Sequence, residues 1–344
     1  MKFLIIRTGA IGDVILTTPI LKAIKERYSK SEIHYLVGEW SADVLKYNPY
    51  IDRIIPIKEK WFFKKEWRII RAYQSMLKKE NYDYGFALDK SWLFNIFLFL
   101  SGAKNRYGFS REHHILNNIL LSNQVRFSGK KKEYEYYSDL LHVSLGLKYD
   151  YNNMSLYPTK EEKRAVDNYM EWIKPKFVGI APGGAVNPGQ KALLKRWPKK
   201  YYGKLIKHLL LNGKQVFVIG GQNDMDYNRF PEFEKNKDYY NLTGAFNIRQ
   251  VYYLLKKYCT IFITHDSGPM NLAAAAKIRK LITLFGPTPP ERFAPPNAIV
   301  LQSPTHQPCY TIHGKFTSKQ GGMEDISVKE VLQHLKKEEK DERN

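Results

Sequence analysis

The sequence predicts an α/β fold with two Rossmann-like domains, and three observations support this prediction. Short β-rich apolar segments alternate with helix-like segments in both halves of the chain, which is typical of parallel sheets. The chain has 344 residues, too many for one ordinary core and suited to two domains. The predicted strands of the second half end in glycine or a small polar turn, as at the ligand-binding edge of a doubly wound sheet.

The first half contains four predicted strands, FLIIR, IHYLVG, RIIPI and YGFALD, separated by helix-like segments such as PILKAIKERY. Behind Pro158, Thr159 and Glu162 form a capping-box pattern, in which the two side chains bond each other's backbone N–H groups at a helix start. We therefore place the domain boundary near Pro158. The N-terminal domain is predicted to span residues 1–158.

The second half repeats this arrangement with FVGIAPGG, QVFVIGG, IFITHDSG and LITLFGP, and residues 159–325 are predicted to form a C-terminal domain. Ser327 and Glu330 form another capping-box pattern, which opens a last helix. Residues 326–344 are predicted to hold this helix, packed back on the N-terminal domain, and a charged tail.

The composition indicates a globular cytoplasmic protein. Hydrophobic residues make up 43% of the chain and charged residues 26%, which fits the soluble globular class. The longest apolar segment, SWLFNIFLFLSGA, is shorter than the roughly 18 to 20 residues of a membrane-spanning helix. The first strand begins at once, without the pattern of a cleavable signal, and two cysteines suit a reducing compartment.

The formal net charge of +21 fits nucleic acid, an anionic membrane surface or a phosphorylated substrate equally well. Eight basic and two acidic residues, interleaved with aromatic residues, lie between Lys58 and Lys79. Lysines beside aromatic rings suit a lipid headgroup interface. One interpretation therefore places this segment on the acceptor or membrane side, with Lys64, Lys65, Arg68 and Arg71 as its cations. The alternative is a solvated helix whose aromatic side chains pack on their own domain.

The segment RTGAIGD follows the first predicted strand and ends in Asp13. It has neither the GxGxxG of a dinucleotide fingerprint nor the GK[ST] of a P-loop. Asp13 lies where open α/β sheets bind their ligands, at the carboxyl end of a strand. Aspartate is also a favoured helix N-cap, worth about 1 kcal/mol. Position alone leaves both roles open, the cap and the group that performs the chemistry.

Phosphate-binding candidates follow two predicted strands of the second half. Gly183 and Gly184 allow a backbone to approach a phosphate closely, and Lys195 could neutralise a leaving diphosphate without a divalent metal. The alternative is a surface loop with ordinary basic residues. In THDSG, Ser267 and the amides of a helix start could hold an anion, whereas His265 suits a structural place at a strand end better than the role of a base.

The segment GGQNDMD contains Asp224 and Asp226, a DxD triplet similar to the metal-binding signature of some sugar transferases. Such triplets are frequent by chance, and a carboxylate after a strand also binds ribose hydroxyls. We favour the ribose role for Asp224 and assign no metal.

Four segments together resemble glycosyltransferase family 9, the ADP-heptose:lipopolysaccharide heptosyltransferases. They are GAIGDVILTTPILKAIKE, KRWP, DSGPMNLAAA and LFGPTPPERF, which occur in the family's order across nearly the whole chain. The resemblance implies a GT-B fold, with two Rossmann-like domains facing a cleft. It also implies that the first domain binds the acceptor and the second the nucleotide sugar.

The same resemblance implies an inverting transfer that uses neither metal nor cofactor, with Asp13 as general base on an acceptor hydroxyl and Gly12 beside it. Lys195 would hold the donor diphosphate. The remaining donor contacts would come from Gly183, Gly184, Asp266, Ser267 and Gly268. Asn271 stands where many members have histidine, and an amide donates a hydrogen bond but carries no positive charge.

The function expected from this resemblance is transfer of heptose from ADP-heptose to the lipid A-linked inner core of lipopolysaccharide. The partners would be the nucleotide sugar, a phosphorylated lipid-linked acceptor and the anionic inner face of the inner membrane, with no obligate protein partner. One alternative is a family 9 enzyme that uses another nucleotide sugar or a protein hydroxyl. A nucleic-acid-binding protein is disfavoured because no reading motif occurs, and a dehydrogenase because GxGxxG is missing.

Overall fold

The computed structural model describes residues 1–58, 61, 66–111, 115–173, 176–187, 190–312 and 314–341. The chain divides into two compact units, Met1–Tyr157 and Pro158–Asn344. This division falls at the boundary placed near Pro158.

The described residues of the first unit form a six-stranded sheet with helices between its strands. The strands are β1 (Lys2–Arg7), β2 (Glu32–Gly38), β3 (Arg53–Ile57), β4 (Tyr84–Ala87), β5 (Asn105–Ser110) and β6 (Asn123–Arg126). The helices are α1 (Ile11–Arg27), α2 (Trp67–Lys78), α3 (Trp92–Leu100), α4 (Ile115–Leu120) and α5 (Glu133–Leu145).

The strand order of this sheet is β3-β2-β1-β4-β5-β6, and each neighbouring pair is parallel. The chain builds outward from β1 to β3 and then returns to place β4 on the other side of β1. Ligands of doubly wound sheets bind outside the carboxyl ends of the strands at such a switch point. In this unit, that point lies between the ends of β1 and β4.

The second unit repeats this topology in the order β11-β10-β7-β12-β13-β14, again with parallel neighbours. The strands are β7 (Phe177–Ala181), β10 (Val216–Val218), β11 (Tyr239–Asn241), β12 (Cys259–His265), β13 (Lys280–Phe285) and β14 (Ile299–Gln302), with a small antiparallel pair of β8 (Val186–Asn187) and β9 (Gln190–Lys191). The helices are α6 (Lys160–Met170), α7 (Lys199–Leu211), α8 (Ile248–Tyr258), α9 (Gly268–Ala275), α10 (Pro290–Phe293) and α11 (Val328–Asp341). Its switch point lies between β7 and β12.

Two α/β units with parallel sheets confirm the predicted fold class. The predicted capping box also forms, because the Glu162 N–H donates to the Thr159 hydroxyl at 3.2 Å and the Thr159 N–H donates to the Glu162 carboxylate at 2.9 Å. Within the described ranges, no helix has both the length and the apolar character needed to cross a membrane.

The last helix packs on the core of the second unit. Val331 of α11 is buried in the core of the second unit, and Val328, Leu332 and Leu335 pack against the same core. The Trp197 indole N–H also donates to the Ile326 carbonyl at 2.9 Å. The apolar side of α11 thus covers α7 and the second sheet, so the chain after residue 325 is part of the second unit rather than a separate element. Packing of α11 on the N-terminal domain stays a prediction.

Candidate active site

Asp13 lies inside the first helix and does not cap it. The N-cap of α1 is Ala10, which places Asp13 at the third helical position, with its N–H donating to the Ala10 carbonyl at 2.9 Å. Instead, an Asp13 carboxylate oxygen lies 2.6 Å from Nη2 of Arg7. The N-cap role, one of the two left open for Asp13, is excluded because only Thr8, Gly9 and Ala10 separate β1 from α1, so the helix begins before Asp13.

Arg7 connects the ends of β1 and β4 across the switch point. Its guanidinium forms a second ion pair with Asp89, which follows β4. The other Asp89 oxygen accepts the N–H of Thr8 at 2.8 Å and the Thr8 hydroxyl at 3.2 Å. Burial alone would lower the pKa of Arg7, but the negative charge of Asp89, with a smaller contribution from Asp13, raises this pKa well above its usual value. Arg7 is therefore a fixed cation that orients Asp13.

A buried pair lies beside this network. The Lys90 ammonium pairs with Glu133 at the start of α5, and it also donates to the Tyr137 hydroxyl at 3.3 Å. Burial lowers the pKa of Lys90, although the charge of Glu133 opposes that shift. The side chain of Asp13 is 32% exposed, compared with 11% for Asp89 and 4% for Glu133. Of these three carboxylates, Asp13 is the one that a hydroxyl of a bound molecule can reach most easily.

In the second unit, Asp224 shapes the turn after β7. Its carboxylate accepts the Gly184 N–H at 2.6 Å and the Gly221 N–H at 3.0 Å. Gly184 has a φ of +86°, which favours glycine, and a Cβ on Gly183 would lie 2.5 Å from the Asp224 carboxyl carbon. Each carboxylate oxygen of Asp224 thus accepts one backbone amide and fixes the turn, and the ribose role of Asp224 stays a prediction. The Gly184 amide, predicted to contact a phosphate, is likewise already bonded to Asp224.

Arg196 completes this turn, although the sequence analysis gave it no separate role. Its guanidinium donates twice to the Gly184 carbonyl, at 3.0 and 2.8 Å. It also lies 4.4 Å from the ring centroid of Tyr227. Arg196 therefore supports the glycine turn. In the sequence, only its position beside Lys195 in KRWP could have indicated a role at the site.

Lys195 and Asp266, predicted separately, form one ion pair. The Lys195 Nζ atom lies 2.8 Å from an Asp266 carboxylate oxygen. The same ammonium lies 5.2 Å from the ring centroid of Tyr310 and 5.7 Å from that of Phe293. Lys195 ends a short 3-10 turn and Asp266 follows β12, so the pair lies at the switch point of the second sheet. Neither aromatic partner was predicted from the sequence.

The start of α9 lies beside the glycine turn. Ser267 is the N-cap residue, but its hydroxyl donates to the His265 carbonyl at 3.1 Å and, within the described residues, makes no capping hydrogen bond. A Cβ on Gly184 would lie 3.2 Å from the Ser267 Cβ, so the two predicted phosphate-binding segments touch. Gly268 and Asn271 lie in the first turns of α9. A helix start beside a lysine attracts an anion.

His265 is buried at the end of β12. Its Nδ1 atom lies 3.4 Å from the Tyr202 hydroxyl, and its Nε2 atom has no hydrogen-bond partner among the described residues. Burial, followed by the positive charges of Lys195 and Arg196, lowers the pKa of the imidazole to about 3. A group that stays neutral and buried near neutral pH suits a structural role, as the sequence analysis favoured.

The basic segment of the first unit agrees partly with each of its two interpretations. Trp61 and Tyr73 pack against the core of their own domain. On α2, however, Arg68 and Arg71 are exposed, and Trp67 is 55% exposed beside them. Lys64 and Lys65 lie outside the described residues.

Gly12 is buried in α1 next to Asp13. Across the described part of the chain, no group of three or more His, Cys, Asp and Glu side chains could hold a metal ion.

A family model and the curated relatives of this chain indicate one family. A model of glycosyltransferase family 9 (heptosyltransferase) matches residues 70–319. Lipopolysaccharide heptosyltransferase 2 of Escherichia coli strain K12 is 25% identical over 306 residues, which cover 86% of this chain and 85% of that protein.

Two solved structures share the fold. A family 9 glycosyl transferase from Veillonella parvula DSM 2008 has a TM-score of 0.78 and 21% identity, covering 97% of this chain and 96% of its own. The E. coli heptosyltransferase WaaC with ADP-2-deoxy-2-fluoro heptose has a TM-score of 0.72 and 18% identity, covering 98% of this chain and 100% of its own. The predicted GT-B fold is confirmed.

The family match contains Lys195, the Asp266 to Gly268 loop and the glycine turn, whereas Asp13 precedes the matched range. The likeness to WaaC and to the V. parvula protein spans nearly the whole chain and so includes the first unit. Because the matched range covers well over half of the sequence, the chain belongs to glycosyltransferase family 9 and is a glycosyltransferase.

Proposed function

We propose that this enzyme transfers heptose from ADP-heptose to the inner core of lipopolysaccharide. The relatives that support this substrate class are named lipopolysaccharide heptosyltransferases, and WaaC was solved with an ADP-heptose analogue. The observation that carries the proposal is the reachable carboxylate of Asp13, held by Arg7 at the switch point of the first sheet.

In the proposed reaction, Asp13 accepts the proton of an acceptor hydroxyl while the oxygen attacks the anomeric carbon of the donor heptose. The bond between that carbon and the diphosphate oxygen breaks, and ADP leaves with the bonding electrons. Attack from the side opposite the leaving group inverts the anomeric configuration. The Arg7 ion pair would hold the carboxylate in the orientation that general-base catalysis requires.

The second domain would stabilise the leaving diphosphate. Lys195 supplies a cation at the switch point, and the start of α9 supplies a positive helix end. Because a lysine can neutralise the departing charge, we propose that the reaction needs neither a divalent metal nor a cofactor. The Gly183–Gly184 turn then acts through its shape, since Asp224 and Arg196 bond the backbone groups of Gly184.

We also propose that the enzyme works at the cytoplasmic face of the inner membrane as a peripheral protein. The lipid-linked acceptor is phosphorylated and lies in an anionic leaflet, to which exposed cations near aromatic rings are attracted. Arg68 and Arg71 on α2, with the exposed Trp67, provide such a surface.

A donor and acceptor panel tests this proposal. The purified protein would be incubated with ADP-heptose, and separately with UDP- and GDP-sugars, together with a lipid A-linked inner-core acceptor or a serine-rich protein. Product mass and anomeric NMR identify the sugar, the acceptor and the configuration. Transfer of heptose to the lipid acceptor with inversion supports the proposal. Turnover with another sugar, or transfer to the protein only, would replace the substrate assignment, and retention of configuration would exclude the single-displacement mechanism.

A further inference from the structure

We propose that Tyr310 is a positioning residue that holds two cations, Lys195 and Arg292, for the donor diphosphate without cancelling their charge. This inference rests on the proposed role of Lys195 in donor binding. Tyr310 lies between β14 and α11, and its ring centroid is 5.2 Å from the Lys195 ammonium and 5.9 Å from the Arg292 guanidinium carbon.

The ring of Tyr310 is itself fixed by aromatic neighbours. The Phe293 ring lies 5.8 Å away at an interplanar angle of 66°, and the Phe316 ring lies 5.1 Å away. Tyr310 and Phe316 also form an isolated antiparallel bridge. These contacts give the ring one orientation, which a positioning role requires.

The backbone around Tyr310 is tied to the carboxyl edge of the second sheet. The Cys309 N–H donates to the Pro287 carbonyl at 2.9 Å, just beyond the end of β13, and the Thr317 N–H donates to the Cys309 carbonyl at 2.9 Å. Tyr310 therefore reaches the strand end where Lys195 pairs with Asp266, although it is distant from both in the sequence.

The two kinds of partner have different electrostatic consequences for Lys195. Asp266 neutralises the ammonium and would compete with an incoming phosphate for it. An aromatic face attracts a cation through its quadrupole and adds no net charge, so the attraction of that cation for a diphosphate remains. The Tyr310 ring also lies near Arg292, a second cation. Lys195 and Arg292 repel each other, and the attraction of each cation to the ring offsets part of this repulsion. A diphosphate would benefit from both charges.

The test replaces residue 310 in the full-length protein and measures ADP binding by calorimetry. Tyr310→Phe keeps the ring and should bind ADP within about twofold of the wild type. Tyr310→Leu removes the ring and should weaken ADP binding about 5- to 30-fold, as expected for one or two lost cation–π contacts. Adenosine, which has no phosphate, should bind both variants as it binds the wild type.

An isosteric series separates charge from shape. Phenylalanine, 4-fluorophenylalanine and 3,4,5-trifluorophenylalanine at position 310 have nearly the same volume, but the negative potential of the ring face falls along the series. The logarithm of the ADP dissociation constant should rise steadily with fluorination. A flat series, unchanged ADP binding by Tyr310→Leu, or equal losses for adenosine and ADP would overturn the positioning role.

The proposed function is judged separately, from the wild-type protein. If the wild type binds UDP or GDP instead of ADP, the donor assignment fails, and the same variants measured with that nucleotide still test Tyr310. If the wild type binds none of these nucleoside diphosphates, both proposals are overturned.

Discussion

Replacing His265 with glutamine should remove a large part of the pH dependence of folding stability in the second domain. Burial at the end of β12, with Lys195 and Arg196 nearby, lowers the pKa of the His265 imidazole to about 3 from its usual 6.5. Below pH 6.5, His265 therefore binds a proton in the unfolded chain but not in the folded chain. Stability from the neutral form is complete above pH 6.5 and falls as the pH drops towards 3.

The size of this effect follows from linkage. One proton bound only by the unfolded state reduces stability by about 1.4 kcal/mol for each pH unit. Integration from pH 7.5 to pH 4.5 predicts a loss of about 2 to 3 kcal/mol in the wild type from this group alone. Because glutamine does not titrate, the stability of the variant does not fall with pH through this group. Any destabilisation that the substitution itself causes is the same at every pH and does not affect the comparison.

The assay is the urea dependence of hydrogen exchange for peptides that cover β12, corrected for the intrinsic exchange rate at each pH. This probe reports the opening of the second domain and not that of the first. The difference in stability between wild type and His265→Gln should shift by about 2 to 3 kcal/mol between pH 7.5 and pH 4.5. Parallel curves for the two proteins, or an NMR titration of the His265 nitrogens centred near pH 6.5, would refute the reasoning.

His306 provides a control of opposite sign. Its hydrogen bond to the Asp325 carboxylate raises the pKa of the imidazole, and Nδ1 lies 2.7 Å from the carboxylate oxygen. The folded state thus favours the protonated form, so this contribution is present below pH 6.5 and is lost as the pH rises through the raised pKa. The His306→Gln variant should consequently be less stable than the wild type by an amount that increases as the pH falls.

Four further outcomes are expected. Asp13→Asn should lower turnover about 10²- to 10⁴-fold with little change in ADP affinity, while Asp139→Asn, a matched change on α5, should remain active; a fully active Asp13→Asn would exclude the base role. Lys195→Gln should weaken ADP binding about 10- to 100-fold in calorimetry, and unchanged affinity would remove Lys195 from the donor site. Activity in EDTA should equal that in buffer, and a strict requirement for added metal would contradict the metal-free mechanism. Replacing Arg68 and Arg71 with glutamine should weaken binding to anionic vesicles about 10- to 30-fold in sedimentation, with zwitterionic vesicles as the control; equal binding would place the membrane surface elsewhere.

The central strands could be predicted from the sequence because they are buried on both faces. β1, β7 and β13 are almost entirely buried, and each appears in the sequence as a continuous apolar segment. Two outer strands, β6 and β14, were not predicted. β6, with the sequence NQVR, has one buried residue among polar neighbours. β14, with the sequence IVLQ, also has one buried residue and is too short for its periodicity to indicate a strand. The sheet order therefore had to come from the structure.

Candidate site residues could be identified one by one from the sequence, but the pairs that they form could not. A polar residue shortly after a predicted strand is visible in the sequence, which identified Asp13 and Asp266, and the basic pair before Trp197 identified Lys195. Which of them meet depends on strand neighbours that are distant along the chain. Asp89 ended the predicted strand YGFALD, yet its contact with Arg7 follows from β4 lying beside β1. The contacts of Asp224 could not be predicted for the same reason, since the two amides that donate to it, those of Gly184 and Gly221, come from two different loops.

The two strand-end clusters differ in formal charge, and the difference matches the proposed division of labour. In the first unit, two cations lie among three carboxylates, which leaves a formal charge of 2 − 3 = −1 for Arg7, Lys90, Asp13, Asp89 and Glu133. In the second unit, two ion pairs and the Tyr310 ring connect Lys195, Arg196, Arg292, Asp224 and Asp266, and the formal charge of these five described residues is 3 − 2 = +1. A cluster with excess carboxylate suits removal of a proton from a hydroxyl, and one with excess cation suits a departing diphosphate. The net charge of +21 could not distinguish these sites, because catalytic chemistry depends on the local balance at each strand end.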